Sequence, residues 1–288
     1  MNYRSLRHCL DDLLRHQQLV RIETPIDARL EAAALHRRVH AAGGPALWFT
    51  QVKGCQFSMA SNLFGTPDRA RFLFRGTLDS VRRLIAAKID PGAALRRPWQ
   101  TARALPAAWH ARPKMVKTGP LLDAETSLDQ LPPQVSWPHD GGPFVTLPIV
   151  HTEDVRRPGW QGSNLGMYRI QLAGNDYDPE REVGLHYQIH RGIGVHHAAA
   201  QAAGKPLQVN VYLGGPPSLT LAAVMPLPEG MTELAFAGVL GGRRVRLAPQ
   251  PGGLPLCVDA DFCLSGEVDP DRLLPEGPFG DHLGYYSL

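Results

Sequence analysis

The segment Leu207-Gln208-Val209-Asn210-Val211-Tyr212-Leu213 decides the fold class, because it predicts a β-strand in a region where strands outnumber helices. Three other segments of this region also suit strands: Phe144 to Val150, Met167 to Leu172 and the neighbourhood of Val245. Glycine and proline turns separate them at short intervals, which is typical of a barrel or a sandwich. Two helices are predicted between the strands, at about His196 to Ala203 and at Leu219 to Val224.

The first third of the chain has a different pattern. Helical spacing over residues 4–20 and 29–41 is combined with short strands at Leu19-Val20-Arg21-Ile22 and Ala46-Leu47-Trp48-Phe49. This alternation of helices and strands predicts a compact α/β or α+β first domain.

Residues 91–120 separate the two regions. They are rich in proline, alanine and arginine, and the prolines interrupt regular structure repeatedly. We predict a linker or a surface arm here. The predicted domains are an N-terminal α/β domain over residues 1–112, with the linker near its end, and a β-rich domain over residues 113–288.

The composition is that of a globular protein with a sizeable core. The 288 residues are 43% hydrophobic and 20% charged, and the formal net charge is +3. The densest basic groups, Arg243-Arg244-Arg246 and Arg96-Arg97, are short, and we interpret them as solvated faces. No nucleic-acid partner is therefore predicted.

The cysteines and the N-terminal residues indicate the cellular compartment of the protein. The four cysteines are widely spaced without a C-x-x-C pair, which argues against a disulfide framework and a zinc site. The N-terminus lacks the apolar core of a signal peptide, and no apolar run approaches the ~20 residues of a spanning helix. We therefore predict a cytoplasmic protein without a transmembrane segment.

The first segment that offers chemistry is Asn164-Leu165-Gly166-Met167-Tyr168-Arg169, at the entry to a predicted strand. On a strand, Asn164, Gly166 and Tyr168 share one face and Arg169 lies on the other. A loop or bulge at Gly166 would bring Asn164 and Arg169 to the same site. The plainer alternative is an ordinary strand start with a surface arginine.

The second segment is His186-Tyr187-Gln188-Ile189-His190-Arg191-Gly192. Its periodicity favours a strand, in which His186 and His190 share a face. A neutral imidazole is a competent metal ligand, although a lone histidine is more often a hydrogen-bonded polar residue.

The third segment, Pro275-Glu276-Gly277-Pro278-Phe279-Gly280-Asp281-His282, places two carboxylates five residues apart in an irregular backbone. Paired carboxylates in one concave site can be held at different pKa values, and a neighbouring arginine keeps one of them ionised. The alternative is a Gly-Pro turn with two solvated acids.

The fourth segment is the loop from Trp137 to Phe144. Its Gly141-Gly142 pair allows the backbone to approach another segment or a ligand closely. The glycine patterns of a phosphate loop and of a dinucleotide fold are absent from it.

Taken in order, these segments resemble the UbiD-type decarboxylase family, typified by 3-polyprenyl-4-hydroxybenzoate carboxy-lyase. The resemblance covers essentially the whole chain. The segments that carry it are Leu19 to Ile22, Gly43 to Leu47, Asn62 to Gly65, Trp137 to Phe144, Asn164 to Arg169, His190 to Gly192, Met225 to Gly230, and Pro275 to Asp281 with Gly284-Tyr285-Tyr286.

The resemblance implies an α+β protein whose second domain is a flavin-reductase-like split β-barrel. It implies prenylated FMN as the cofactor, supplied by a flavin prenyltransferase, with Mn²⁺ or Mg²⁺ and K⁺. The implied metal ligands are Asn164, His190 and Glu233. The other implied cofactor-binding residues are Gly166, Met167, Tyr168, Arg169, Arg191, Gly192 and Pro226.

The activity implied is the reversible, non-oxidative decarboxylation of an aromatic or α,β-unsaturated carboxylic acid. Loss of CO2 from such an acid needs an electron sink that side chains cannot supply. The resemblance makes Asp281 the proton donor, with Glu276 and Arg169 orienting it. Arg169 would also hold the carboxylate of the substrate.

The sequence departs from the family pattern in two places. Asp261 and Ser265 stand where the family usually has glutamates, and we expect a structural role for both. The chain stops at Leu288, whereas family members continue into a domain that helps to close the cofactor site and supports oligomerisation. We therefore expect a C-terminal domain to be missing, and a homo-oligomer where that domain is present.

Two other functions stay open. The early stop favours a non-catalytic flavin- or metal-binding module that needs a partner for the missing part. A metal-dependent hydrolase that uses Glu276 and Asp281 ranks last, because the sequence lacks the dense His/Asp cluster that such sites usually need.

Overall fold

The computed structural model describes residues 2–90, 92, 105–228, 230–269 and 272–287. Part of the predicted linker, the Arg96-Arg97 pair and Glu229 lie outside the described residues.

Helices and strands follow one another along the whole described chain. The helices are α1 (Leu6–Arg15), α2 (Glu31–Ala41), α3 (Pro67–Leu73), α4 (Leu78–Ile89), α5 (Leu105–Ala108), α6 (Gly192–Ala202), α7 (Pro217–Ala222) and α8 (Glu233–Gly241). The strands are β1 (Leu19–Ile22), β2 (Ala46–Phe49), β3 (Met59–Ser61), β4 (Lys114–Met115), β5 (Phe144–Val145), β6 (Ile149–Glu153), β7 (Ser163–Gly166), β8 (Ile170–Gln171), β9 (Gly184–Leu185), β10 (Leu207–Leu213), β11 (Arg246–Ala248), β12 (Leu256–Cys257), β13 (Phe262–Val268), β14 (Phe279–Gly280) and β15 (Tyr286–Ser287).

The N-terminal part is a small sheet flanked by helices. β1 pairs with β2 in parallel, and β2 pairs with β3 antiparallel. The predicted strands β1 and β2 are confirmed, whereas both predicted helices are shorter than expected. Gln17 and Leu30 adopt positive φ angles of 57° and 66°, so regular helix ends before Gln17 and begins after Leu30.

The second part is built around the predicted strand Leu207 to Leu213, which is confirmed as β10. It lies inside a four-stranded antiparallel sheet of order β13-β10-β6-β7, where Asn210 pairs with both His151 and Ser265. Two three-stranded sheets, β12-β11-β4 and β5-β8-β9, and the hairpin β14-β15 complete the β-structure of this part. The predicted mixed α+β fold is confirmed.

Three predicted strands are corrected by the structure. Phe144 to Val150 splits into β5 and β6, because Pro148 lies between them and has no N–H to donate to a ladder. The strand predicted over Met167 to Leu172 shrinks to β8, since the chain leaves β7 at Gly166 and runs as a loop to Arg169. The strand predicted over His186 to Gly192 is wrong, because β9 ends at Leu185, a turn follows at Ile189-His190 and helix α6 begins at Gly192.

The main core joins both parts of the chain. Helix α8 is apolar on all sides, and the run from Leu234 to Leu240 is buried. The same buried cluster contains Leu13 and Leu73 of the N-terminal part and Ile149 and Tyr212 of the central sheet. This shared core fixes the site elements on β7 and α8 relative to one another, whereas α6 packs into a second buried cluster through Ile193 and Ala200.

Within the described ranges, no helix combines the length and the apolar character needed to cross a lipid bilayer.

Candidate active site

Arg169 and Glu276 meet although 107 residues separate them in sequence. Arg169 Nε lies 2.9 Å from both Glu276 carboxylate oxygens, and Nη2 donates to Oε2. Both side chains are largely buried, at 15% and 8% exposure. A charge-assisted contact of this kind is strong and keeps the planar guanidinium in one orientation.

The backbone around Glu276 is held by three other segments. Gly277 N donates to Gln171 Oε1 at 2.8 Å, and Tyr177 Oη donates to Pro275 O at 2.7 Å. Gly141 N donates to Pro278 O at 2.7 Å. The close approach predicted for Gly141-Gly142 is observed at both residues: a Cβ on Gly141 would lie 2.1 Å from Gly277 O in the acidic segment, and one on Gly142 would lie 2.0 Å from Ala173 O.

Asp281 lies at the turn of the β14-β15 hairpin. Its Oδ1 accepts from the backbone N of Leu283 at 2.8 Å and of Tyr285 at 3.3 Å. In the part of the chain that the structure describes, Asp281 makes no hydrogen bond with Arg169 or Glu276. The hairpin is nevertheless attached to them, because Arg169 Nη1 donates to Ser287 Oγ on β15.

His186 joins the same group of side chains. Its Nδ1 is 3.4 Å from Arg169 Nη2 and 3.5 Å from Glu276 Oε2, and its side chain is 45% exposed. The sequence pattern indicated His186 only as a partner of His190. The contact arises because His186 lies one residue beyond strand β9, which pairs with β8 next to Arg169, and no local sequence pattern indicated it.

A cleft of about 540 Å³ opens beside Arg169. Its walls come from the loop after β7, the segment before α6, the end of α7 and the start of α8. The predicted cofactor-binding residues that line it are Asn164, Gly166, Met167, Tyr168, Arg169, Arg191, Gly192, Pro226 and Glu233. Asn164 and Arg169 share the cleft because the chain turns away from the strand after Gly166.

Two of the three predicted metal ligands face this cleft. Glu233 Oε2 accepts from Leu165 N at 3.2 Å, which places its carboxylate beside Asn164. Burial raises the pKa of Glu233, although hydrogen bonds from the backbone N–H groups of Glu233 itself and of Leu165 oppose this. His190 is exposed on the turn before α6 and is not part of the cleft lining.

Helix α6 begins at the cleft. Arg191 precedes its first turn, and Gly192 lies so close to Asn164 that a Cβ on it would be 2.0 Å from Asn164 Oδ1. The first backbone N–H groups of an α-helix have no partner within the helix, so they favour an anion at this position.

The two residues that depart from the family pattern make hydrogen bonds of their own, and neither lines the cleft. Asp261 Oδ2 accepts from Gly215 N at 2.9 Å, and Ser265 Oγ donates to Asn210 Oδ1 at 2.7 Å. Both contacts support the structural role that was expected.

Two family models match the chain. The model described as the 3-octaprenyl-4-hydroxybenzoate carboxy-lyase N-terminal domain matches residues 10–88. The model described as the Rift-related domain of the same carboxy-lyase matches residues 111–288. The domain boundary at residue 112 stays a prediction.

Curated relatives match over nearly the whole chain. An uncharacterized protein of Chlamydia muridarum is 40% identical over 291 residues, which covers 99% of this chain and 49% of the relative. A Chlamydia pneumoniae protein, named as one of the subunits of a 4-hydroxybenzoate decarboxylase, is 38% identical over 289 residues and is covered to 48% of its length. The chain thus spans about half the length of the curated relatives it matches.

Solved structures show the same fold at lower identity. The closed form of vanillic acid decarboxylase from Sedimentibacter hydroxybenzoicus superposes with a TM-score of 0.82 at 24% identity, covering 99% of this chain and 59% of that one. An evolved dimeric form of the UbiD-class enzyme HmfF from Pelotomaculum thermopropionicum, in complex with prFMN, superposes with a TM-score of 0.81 at 23% identity. The match covers 99% of this chain and 62% of that one.

Proposed function

Because this chain belongs to the UbiD carboxy-lyase family, we propose that it takes part in the reversible, non-oxidative decarboxylation of an aromatic or α,β-unsaturated carboxylic acid. The observation that carries the proposal is the contact between Arg169 and Glu276 beside the cleft. We further propose that the β-rich second domain is a split barrel that holds the cofactor, and that the whole protein forms homo-oligomers.

The cleft fits prenylated FMN. Its volume of about 540 Å³ lies in the range of small-molecule sites. The start of α6 and the adjoining Arg191 suit the phosphate of the cofactor, since both attract an anion. When bound, the modified flavin would supply the electron sink that loss of CO2 from such acids requires.

Asn164 and Glu233 suit a Mn²⁺ or Mg²⁺ ion at the phosphate end of the cleft. An amide oxygen and a carboxylate are hard ligands, and a nearby cation would offset the burial of the Glu233 carboxylate. His190 would complete the ligand set only after the turn at Ile189-His190 moves its side chain inward. A K⁺ ion beside the same group stays part of the proposal.

Arg169 would have two tasks. Its contact with Glu276 fixes the plane of the guanidinium, and its position in the cleft wall allows it to bind the substrate carboxylate. Glu276 would keep that guanidinium in place. Asp281 would return a proton to the carbon that loses CO2, once the hairpin turn releases its carboxylate toward Arg169.

One alternative function is also favoured by a specific observation. The chain spans about half of its curated relatives, so a flavin- or metal-binding module that is inactive without a partner is consistent with the site. The cleft and the helix start at Gly192 would serve such a module equally well.

The experiment is co-expression of the chain with a flavin prenyltransferase, followed by absorbance spectroscopy and a CO2-release assay on cinnamate and 4-hydroxybenzoate. Bound modified flavin with turnover supports the decarboxylase. Bound flavin without turnover supports the module, and turnover that returns after addition of the half of a curated relative that this chain does not span would identify the partner it needs. A preparation that binds no flavin contradicts the decarboxylase, and one that binds neither flavin nor Mn²⁺ contradicts both.

Asp281→Asn should abolish turnover and leave the absorbance of the bound flavin unchanged. Asparagine retains an oxygen that can accept from the Leu283 and Tyr285 N–H groups, so the hairpin should stay folded. Loss of a proton donor typically lowers the rate by about 10²–10⁴-fold. Asp79→Asn, whose carboxylate is 80% exposed on α4, is the matched control and should keep full turnover. Normal turnover in Asp281→Asn would show that another group donates the proton.

A further inference from the structure

A second cavity lies apart from the cleft. It has a volume of about 210 Å³ and shares no lining residue with the cleft beside Arg169. It forms where the N-terminal part meets the β-rich part of the chain. Its apolar walls include Phe57, Met59, Phe64, Phe144 and Phe262.

Among the described residues that line this cavity, Asp261 is the one with a charged side chain. Asp261 is a lining residue, and it is also exposed to solvent. The surrounding protein raises the pKa of Asp261 by burial, and the hydrogen bond from Gly215 N opposes this only in part. Among the described residues, that backbone N–H is the single hydrogen-bond donor to Asp261, so the carboxylate keeps capacity for another donor.

The backbone around Asp261 is shaped for the carboxylate. Gly214 has a φ angle of 69°, and a Cβ on it would lie 2.0 Å from Asp261 Oδ2. A side chain at residue 214 would therefore displace the carboxylate from its place beside the cavity. Gly214 and Gly215 together fix the acceptor at the wall.

We propose that this cavity binds a single-ring phenol, with the ring among the aromatic side chains and the hydroxyl donating to Asp261. A dry cavity of about 150 Å³ is known to hold benzene, so the space here suits a ring with one or two substituents. An ammonium ligand would lose more hydration on entering apolar walls, and a carboxylate ligand would be repelled by Asp261. The proposal does not depend on the decarboxylase activity.

The test uses 4-fluorophenol and protein labelled with ¹³C at the methionine methyl groups. Met59 lines the second cavity, whereas Met167 and Met225 line the cleft, so their methyl signals report the two sites separately. We expect 4-fluorophenol to shift the Met59 signal, assigned with Met59→Leu, and to leave the other two in place. Shifts confined to Met167 or Met225, or no shift at millimolar ligand, would overturn the proposal.

Fluorobenzene, which lacks the hydroxyl, measures the contribution of Asp261. It should bind at least about tenfold more weakly than 4-fluorophenol, the ratio expected for a hydrogen bond to a charged group. Asp261→Leu should remove this preference while fluorobenzene still shifts Met59, which also shows that the variant is folded. Equal affinity for the two ligands in the unmodified chain contradicts the assigned acceptor.

A second variant keeps the test decisive if Asp261→Leu does not fold. Thr220 on α7 is a partly exposed lining residue, and Thr220→Met places a longer side chain into the cavity. We expect this variant to lose the Met59 shift with both ligands. Unchanged binding would show that the ligand lies elsewhere.

Discussion

At the scale of single residues, the site depends on contacts between residues far apart in sequence. Arg169 is oriented by Glu276, and His186 lies within 3.5 Å of the same carboxylate. His186 therefore belongs to the group that positions the guanidinium, and it also lines the cleft. Its contribution should appear in the rate of the chemical step.

His186→Leu should lower kcat by about ten- to a hundredfold with a smaller change in KM, because a loosened Arg169 would hold the reacting groups less well. His186→Gln keeps a polar group near Glu276 and should recover part of the rate. Steady-state kinetics of the flavin-loaded protein are the measurement. Equal rates for the Leu and Gln variants would assign His186 a purely space-filling role.

A second group of residues bears on stability. Asp12 is fully buried on α1, where it accepts from Tyr3 Oη and Arg75 Nη2, each at 2.7 Å. Burial alone would raise the pKa of Asp12, but the hydrogen bonds from Tyr3 and Arg75, with the positive charge of Arg75, lower it below its usual value. The carboxylate is therefore stabilised in the folded state relative to the unfolded chain.

This stabilisation should be present above the unfolded pKa, which is about 3.9 for aspartate, and be lost as the pH falls through the lower folded-state pKa. Asp12→Asn should cost about 3–5 kcal/mol of unfolding free energy at pH 7, and the difference from the unmodified chain should shrink on acidification. Urea denaturation of both proteins at several pH values measures this difference in unfolding free energy. Asp11→Asn, on the exposed side of the same helix, is the control and should change stability by less than about 0.5 kcal/mol.

At the scale of elements, helix α8 anchors one wall of the cleft in the core. Its first residue, Glu233, lines the cleft, and the residues that follow it are buried in the core. Thr232 caps it, with Oγ1 accepting from Ala235 N at 3.3 Å, and Gly242 ends it in the left-handed conformation. Gly238 lies in its middle, where a Cβ would be 2.1 Å from the carbonyl oxygen of His110. The helix therefore packs directly against the Trp109–Ala111 turn.

Gly238→Ala should destabilise the protein by about 1–3 kcal/mol, although alanine is the better helix former by about 1 kcal/mol. The reason is that backbone atoms on both sides of the contact have to move apart. Thermal or urea unfolding measures the change. For comparison, no described atom lies within 4 Å of a Cβ on Gly266 in β13, so Gly266→Ala should be close to neutral.

At the scale of the whole molecule, one hydrophobic cluster contains residues of both parts of the chain. Leu13 and Leu73 belong to the N-terminal part, and Tyr212 and Leu240 belong to the β-rich part. Such sharing couples the two parts energetically, since neither can unfold without exposing the other's apolar surface.

Leu13→Ala should therefore lower the unfolding free energy by about 2–5 kcal/mol in both parts equally. Hydrogen exchange of the amides in β2 and β10 measures the two parts separately. Protection should fall by the same factor in both strands. A loss confined to β2 would show that the parts unfold independently.

The sequence alone determined the fold class, the strands β1, β2 and β10, and the candidate residues of the site. These depend on local spacing and on an ordered set of motifs, both of which are present in the linear chain. The sequence did not determine the contact between Arg169 and Glu276, the position of His186 beside that pair or the exposed position of His190. Those follow from how β8, β9 and the acidic segment pack, because side chains from distant segments converge only when the backbone is placed in three dimensions.

The tertiary structure alone also decided where strands end and where space remains. The predicted strand at His186 to Gly192 had suitable periodicity, yet the pairing of β9 with β8 stops at Leu185. Asp261 looked like a structural replacement in the sequence, and only packing showed the cavity beside it. Pairing partners and voids are properties of the assembled chain, so no local pattern encodes them.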